Sequence, residues 1–136
     1  MEFWSSTKIR VRYAETDKMG IVYHSNYLIW FEVGRTELFR KLNLPYTLFE
    51  EQKIALAVVQ ADCRYRKPTH YDDELNIITK IGKISSRGAT FLYQIYHNET
   101  LVTEGKTVHI FINEQGRPID IRKYEVWPLL QNLLEK

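Results

Sequence analysis

The sequence is short of the features that mark secreted, membrane-bound or unfolded chains. It has one cysteine in 136 residues, so no disulfide can form within the chain. No run of about 18 apolar residues could span a bilayer, and no basic segment followed by an apolar one opens the chain, so we expect no secretory signal. Gly is limited to 6 residues and Pro to 4, and 44% of residues are hydrophobic, which excludes collagen-like and low-complexity chains. By elimination we expect a cytoplasmic location.

The chain also lacks an excess of charge and a recognisable metal site. Lys and Arg total 19 against 17 Asp and Glu, a formal net charge of +2, so bulk charge gives no indication of nucleic-acid binding. His70, Asp72, Asp73 and Glu74 follow Pro68, and we interpret them as a solvated turn rather than a metal site. Aromatic residues, in contrast, make up 13% of the chain. That share indicates a large core, an interface or an apolar pocket.

The hydrophobic periodicity predicts one strand, one helix and then four strands in a row. The predicted elements are a strand over 8–13, a helix over 27–42, a short helix over 46–52, a strand from 55, strands over 75–84, 89–97 and 101–112, and a C-terminal helix over 125–136. The first half of the long helix is apolar on nearly all sides, so we expect it to be enclosed. Twelve strand residues reach about 40 Å, against about 24 Å for this helix. We therefore expect an α+β hot-dog fold, in which a curled antiparallel sheet of about five strands wraps a central helix, as a single domain over residues 1–136.

The faces of the later strands add two expectations. From residue 55 the chain alternates, which places six side chains on one apolar face: Ala55, Ala57, Val59, Ala61, Cys63 and Tyr65. Gly82 is a candidate β-bulge in the strand over 75–84. The strand over 101–112 is apolar on both faces, which is typical of strands covered on both sides. Because one chain cannot supply the second cover, we expect a homodimer, with a homotetramer as the alternative.

The loop over 13–27 carries the chemistry. It places Asp17, Gly20 and His24 just before the predicted helix, with Asn26 or Ser25 as its N-cap. The free N–H groups and the dipole at a helix N-terminus can polarise a carbonyl oxygen. Asp17 would then act on the same carbonyl carbon as base or nucleophile. A thiol, with a pKa near 8.5, leaves without acid assistance, so this limited machinery favours thioester hydrolysis.

The loop resembles the signature of the 4-hydroxybenzoyl-CoA thioesterase-like hot-dog family, and it is most similar to the Tol-Pal-associated bacterial acyl-CoA thioesterase branch. The resemblance continues into the helix and to about Phe111. The matching positions are Tyr13, Thr16, Asp17, Gly20, Val22, Tyr23, His24, Tyr27, Glu32, Arg35, Thr36, Tyr65, Pro68, Asp72, Asp73, Glu74 and Leu75.

The resemblance implies roles for individual residues. Asp17 matches the catalytic aspartate, and the backbone N–H of His24, with that of Tyr23, matches the donors at the helix start. The side chain of His24 matches the Tol-Pal-associated branch and favours a short or medium aliphatic acyl group. The predicted substrate-binding residues are Gly20, Ile21, Val22 and Tyr27 around the thioester, with Arg87 and Lys67 for coenzyme A phosphates. Coenzyme A is then part of the substrate, and we expect no separate cofactor and no stable membrane insertion.

Two other functions remain open at the level of sequence. A hot-dog dehydratase or hydratase acting on acyl thioesters would also use a carboxylate and a histidine, and Asp17 and His24 supply both. A non-catalytic module could bind an acyl thioester or an acyl carrier protein without turnover. Release of free thiol separates hydrolysis from both alternatives.

Overall fold

The structure, a computed structural model, describes the backbone of residues 4–134 and the side chains of residues 4–133. Its strands are β1 (Trp4–Arg10), β2 (Ala55–Tyr65), β3 (Glu74–Ile84), β4 (Gly88–His97) and β5 (Thr100–Ile112), and its helices are α1 (Asn26–Lys41), α2 (Tyr46–Glu51) and α3 (Val126–Leu134). The predicted order of elements is confirmed. The last two residues of the predicted C-terminal helix, 135 and 136, lie outside the described residues.

The five strands form one open antiparallel sheet in the order β1-β3-β4-β5-β2. Strands β1 and β2 are therefore the two edges, and the chain crosses from one edge to the other through α1. This topology places the long helix across one face of the sheet, which is the α+β arrangement that the sequence predicted.

The core lies between α1 and the sheet. Phe31, Leu38 and Phe39 of α1 are fully buried, and the ring of Phe31 stacks on that of Tyr93 with centroids 4.2 Å apart. Gly34 allows close contact with β3, because a Cβ there would meet Thr79 Oγ1 in a severe clash. The helix is thus fixed in one position over the sheet, and its N-terminus has a defined location.

The helix is less enclosed than expected. Leu28 and Ile29 of α1 are 39% and 54% exposed. A single open sheet covers only one side of a helix, so the opposite side of α1 is uncovered in a single chain. The expectation of burial on all sides was therefore wrong for one chain.

The first strand and its faces also differ from the prediction. Strand β1 ends at Arg10, where the sequence predicted a strand to Tyr13. Tyr13 instead begins a 3₁₀ turn and is 77% exposed. Of the two residues beyond Arg10 that the prediction placed on the inner face, Val11 and Tyr13, only Val11 is buried. The chain leaves the sheet early because it must turn towards the start of α1.

In β2 a bulge between Val58 and Gln60 changes the faces. Ala57 lies opposite Ile110, on the face away from α1, whereas Ala61 lies opposite Thr107, on the face towards α1. One extra residue moves all later side chains to the other face, so the predicted single apolar face was wrong. The predicted bulge in β3 is confirmed, since the register shifts between Ile81 and Lys83.

Candidate active site

The segment between β1 and α1 folds into a tight hairpin with Asp17 at its turn. The backbone N–H of Asp17 donates to Ile21 O at 2.8 Å, and the N–H of Tyr23 donates to Glu15 O at 2.8 Å. Gly20 closes the turn with a left-handed φ of +79° and donates its N–H to Asp17 O at 3.0 Å. Glycine adopts this conformation without the steric penalty of other residues. The hairpin therefore holds Asp17 at a fixed position.

The two carboxylate oxygens of Asp17 have different surroundings. Oδ1 accepts the N–H of Met19 at 2.8 Å and that of Ile21 at 3.4 Å. Among the described residues, Oδ2 accepts no hydrogen bond, and the side chain is half-buried. One oxygen thus orients the carboxylate, and the other is available for chemistry.

A second set of bonds attaches the hairpin to the segment before β3. Val22 donates its N–H to Thr69 O at 2.8 Å, and Ile21 bridges His70. The hydroxyl of Tyr27, in the first turn of α1, shares a 2.6 Å hydrogen bond with Thr69 Oγ1. Burial raises the pKa of Tyr27, so its hydroxyl stays protonated. The hairpin and the helix start are thereby held to the same buried threonine.

The residue before the helix supplies a free backbone donor. The carbonyl of His24 accepts the hydroxyl of Tyr65 at 3.0 Å and the N–H of Tyr27 at 3.4 Å. No hydrogen bond among residues 4–134 uses the N–H of His24. The N–H of Tyr23, which was also predicted as a donor to the thioester, is already bonded to Glu15 O within the hairpin, so that part of the prediction was wrong. Ser25 precedes α1 without a side-chain cap, and Asn26 is already the first residue of the helix, so neither predicted side-chain cap forms. An uncapped helix start with a free N–H favours a bound oxygen of partial negative charge.

These groups meet in one cavity of about 360 Å³. Its lining residues are Asp17, Ile21, Val22, Tyr23, His24, Tyr27, Tyr65, Arg66, Lys67 and Pro68. The structure thus brings together all the predicted site residues except Gly20, which forms the adjacent turn, and Arg87. A larger depression of about 580 Å³ lies on the sheet face away from α1. It lacks a helix terminus, so we assign the chemistry to the smaller cavity.

The basic residues considered for coenzyme A binding differ in their ion pairs and in their distance from the cavity. Arg66 pairs with Glu104 at 2.6 Å, whereas Lys67 forms no ion pair within the described part of the chain and lines the cavity. Arg87 lies in the turn between β3 and β4 and pairs with Asp120 at 3.7 Å. At the cavity, Tyr65 pairs with Thr103, and Thr103 lies opposite Ile95 of β4. Arg87 precedes Ile95 by eight residues, so it lies about 26 Å away along the strand. Arg87 is therefore remote from the cavity of its own chain.

Glu15 is a positioning residue that the sequence analysis missed. It is 6% exposed, and its Oε1 accepts the N–H of Arg12 at 2.7 Å. Its Oε2 accepts the indole N–H of the buried Trp30 at 2.9 Å, while its carbonyl accepts the side-chain amide of Asn26 at 2.9 Å. Glu15 therefore ties the hairpin to α1. For Tyr65 and Pro68, the resemblance to the thioesterase family was the only indication in the sequence that they belong to the site.

Cys63 and the turn that holds His70 and Asp73 could each have carried chemistry, but their contacts indicate structural roles. Cys63 is half-buried, and burial raises the pKa of its thiol, which disfavours the reactive thiolate. Asp73 accepts the N–H of His70 at 2.8 Å within its turn. Among residues 4–134 no three His, Cys, Asp or Glu side chains are placed to hold a metal ion. None of the helices there is long and apolar enough to cross a membrane.

Comparison with known proteins gives a consistent result. A profile of the thioesterase-like superfamily matches residues 11–134. The chain is 39% identical over 121 residues to the putative acyl-CoA thioesterase YneP of Bacillus subtilis, covering 88% of each protein. It is 37% identical over 114 residues to the acyl-CoA thioesterase YbgC of Haemophilus influenzae, covering 82% of each. Among solved structures, a DHNA-CoA thioesterase from Staphylococcus aureus superposes with a TM-score of 0.87 at 35% identity, covering 97% of this chain and 93% of that one.

Proposed function

This chain belongs to the thioesterase-like superfamily and has its hot-dog fold, and on that premise we propose that it hydrolyses acyl-CoA thioesters with Asp17 as the reacting carboxylate. One observation carries the proposal: Asp17 and His24 line the same cavity at the start of α1, and among the described residues one carboxylate oxygen of Asp17 and the N–H of His24 have no hydrogen-bond partner. The relatives named as acyl-CoA thioesterases support the reaction class.

The proposed reaction begins with the thioester carbonyl oxygen accepting the N–H of His24. The dipole of α1 adds partial positive charge there and stabilises the oxyanion that forms. Asp17 Oδ2 either attacks the carbonyl carbon or removes a proton from the attacking water. The C–S bond then breaks and coenzyme A leaves as a thiolate. On the nucleophilic route this leaves an anhydride between Asp17 and the acyl group, which water then hydrolyses, so on either route one water yields a carboxylic acid and a free thiol. Neither route requires a second acid or base.

The cavity walls determine the proposed binding mode. Val22, Tyr23 and Tyr27 surround the thioester with apolar and aromatic surface. Lys67, which forms no ion pair among residues 4–134, is the proposed partner of a coenzyme A phosphate. We propose a short or medium aliphatic acyl group as the substrate. An aryl-CoA is the competing class, since the Staphylococcus aureus relative is named a DHNA-CoA thioesterase.

The exposed edge of β2 favours a homodimer. Val58 and Val59 are 51% and 55% exposed, and β2 pairs only with β5 among the described strands. An unpaired edge strand is a template for pairing with another chain. Two copies of β2 can pair antiparallel around a two-fold axis, which would place Ala55 of one copy beside Tyr65 of the other.

This dimer would also explain the remote position of Arg87. The carbonyl of Arg87 accepts the N–H of Phe111, and Phe111 lies opposite Leu56 at the first end of β2. In the antiparallel dimer that end lies next to the catalytic cavity of the other copy. We therefore assign the partner's Arg87 to the coenzyme A phosphates of each site. Mixing Asp17→Asn with Arg87→Ala protein should restore part of the activity that each variant has lost, because mixed dimers hold one intact site.

Thiol release from a panel of acyl-CoAs tests the proposed function. Asp17→Asn should lower kcat/KM by at least about 100-fold, and the same panel should include aryl-CoAs and an acyl carrier protein thioester. Asp62→Asn, which removes a carboxylate on the opposite face of the sheet, is the matched control and should retain activity. An active Asp17→Asn protein would contradict the mechanism. A 3-hydroxyacyl-CoA in the panel that loses water to give an enoyl thioester without free thiol would indicate a dehydratase, and binding without turnover would indicate a binding module.

A further inference from the structure

Tyr65, the last residue of β2, contacts the turn that precedes α1, and we propose that its hydroxyl is the positioning group for the oxyanion donor of His24. The inference rests on the proposed hydrolysis, in which the N–H of His24 binds the thioester carbonyl. Tyr65 lines the same cavity as Asp17 and His24, and its hydroxyl donates to the carbonyl oxygen of His24 at 3.0 Å. It acts on the reaction through the backbone of His24, without contacting the reacting atoms.

The carbonyl of His24 depends on this hydroxyl for a hydrogen bond of normal length. Its other donor is the N–H of Tyr27, which lies 3.4 Å away, beyond the usual range of about 2.7–3.2 Å for an N–H···O bond. Among residues 4–134, no other hydrogen bond joins a strand of the sheet to the turn over 23–26. The hydroxyl of Tyr65 therefore links the sheet to the residue that carries the free N–H.

The strand end that presents Tyr65 is itself held in place. The N–H groups of Arg66 and Lys67, the next two residues, both donate to Val102 O of β5, at 2.8 and 3.1 Å. The ring of Tyr65 packs edge-on against that of Tyr27, with centroids 5.2 Å apart. Because backbone bonds fix the strand end and the ring contact fixes the side chain, the hydroxyl has a defined position from which to hold the turn.

The two peptide groups on either side of the His24 Cα determine where the free N–H points. The first contains that N–H and the carbonyl of Tyr23, which accepts the N–H of Asn26 at 3.0 Å. The second contains the carbonyl of His24, which Tyr65 holds. Because each peptide group is planar, fixing both leaves φ and ψ of His24 little freedom. Without the hydroxyl, only the first peptide group keeps a bond of normal length, and the N–H can tilt away from the thioester oxygen.

The hydroxyl of Tyr65 is poorly suited to proton transfer. Partial burial, with a smaller contribution from the neighbouring Cys63 thiol, raises the pKa of Tyr65 to about 12, so the group keeps its proton at neutral pH. A general acid works best with a pKa near the pH of the reaction, and a thiolate leaves without one. Orientation of the His24 backbone is therefore the role that fits this hydroxyl.

Tyr65→Phe tests the assignment, because it removes the hydroxyl and keeps the ring that packs on Tyr27. With butyryl-CoA, or with the panel member that proves the better substrate, kcat should fall about tenfold, since a tilted oxyanion donor loses part of its effect of about 100-fold or more. KM should stay within about twofold, and the pH dependence of kcat should keep its shape. Tyr96→Phe changes a β4 tyrosine on the face opposite the buried Ile95, so it is the matched control and should keep kcat.

The thioester carbonyl reports on the donor directly. Asp17→Asn should slow turnover enough to observe the complex with the same substrate, labelled with ¹³C at the carbonyl. Its infrared C=O band should lie at a lower frequency than in solution, because the N–H of His24 polarises the carbonyl. Adding Tyr65→Phe should remove about half or more of that lowering. A loss of stability alone would not move this band.

The outcomes separate this role from other roles of Tyr65. An unchanged kcat or an unchanged carbonyl band in the Tyr65→Phe proteins would overturn the assignment and leave the proposed hydrolysis intact. The assignment would also be overturned by a raised KM with kcat preserved, which indicates substrate binding, by an altered pH profile, which indicates proton transfer, or by a variant that does not fold. Release of no thiol from any acyl-CoA would instead contradict the proposed function, and the role of Tyr65 would fail with it.

Discussion

Replacement of Glu15 by Gln tests how the catalytic hairpin is held in place. The carboxylate accepts the N–H of Arg12 and the indole N–H of Trp30, through different oxygens. Glutamine keeps one acceptor oxygen and turns the other into an NH₂ donor, so one of these two N–H groups loses its partner. Because Trp30 is only 3% exposed, we expect the free energy of unfolding to fall by about 1–3 kcal/mol.

Glu15→Gln should also slow catalysis, because it changes the position of the catalytic groups. Glu15 pairs with Tyr23 in the hairpin that carries Asp17, so a looser hairpin misplaces the carboxylate relative to the N–H of His24. We expect kcat to fall while KM stays near its original value, because Glu15 does not line the cavity. Glu15→Ala should have a larger effect on stability, since both N–H groups lose their acceptor.

Urea unfolding and steady-state kinetics measure these effects. Glu99→Gln, in the exposed turn after β4, is the matched control and should change stability by less than about 0.5 kcal/mol. In a double-mutant cycle with Trp30→Phe, the two changes should be non-additive by about 1–2 kcal/mol, because the phenylalanine removes the donor. An additive cycle, or a Glu15→Gln protein as stable as the original, would refute this account of the hairpin.

Two further predictions concern the core beneath the helix. Gly34→Ala should lower the free energy of unfolding by about 1–3 kcal/mol in urea, because the added Cβ would clash with Thr79; unchanged stability would contradict the close contact of α1 with β3. Burial and the charge of Arg35 lower the pKa of His109 from 6.5 to about 4, so the unfolded chain binds this proton more readily than the folded one. Stability should be full above pH 6.5 and decrease by about 1–3 kcal/mol as the pH falls towards 4, and His109→Gln should reduce that decrease in urea titrations at pH 7 and 5.

Local patterns predicted most of the fold because they depend on residues near one another in the chain. The helix over Asn26–Lys41 and the strands from Ala55 onward follow from hydrophobic periods that any segment carries with it. The bulge between Val58 and Gln60 in β2 could not be predicted in this way. Its position depends on the match between β2 and β5, which are distant in sequence, so the predicted faces of β2 failed where the predicted bulge at Gly82 succeeded.

The sequence by itself determined which residues could do chemistry, because Asp17, Gly20 and His24 belong to one continuous loop before a helix. Its spacing alone places a carboxylate and a helix N-terminus close together. Only the tertiary structure decided that Glu15 is buried against Trp30 and that the hydroxyl of Tyr65 donates to the carbonyl of His24. Burial and pairing are set by side chains that are distant in the sequence, and a charged residue has the same neighbours in the sequence whether it is buried or exposed.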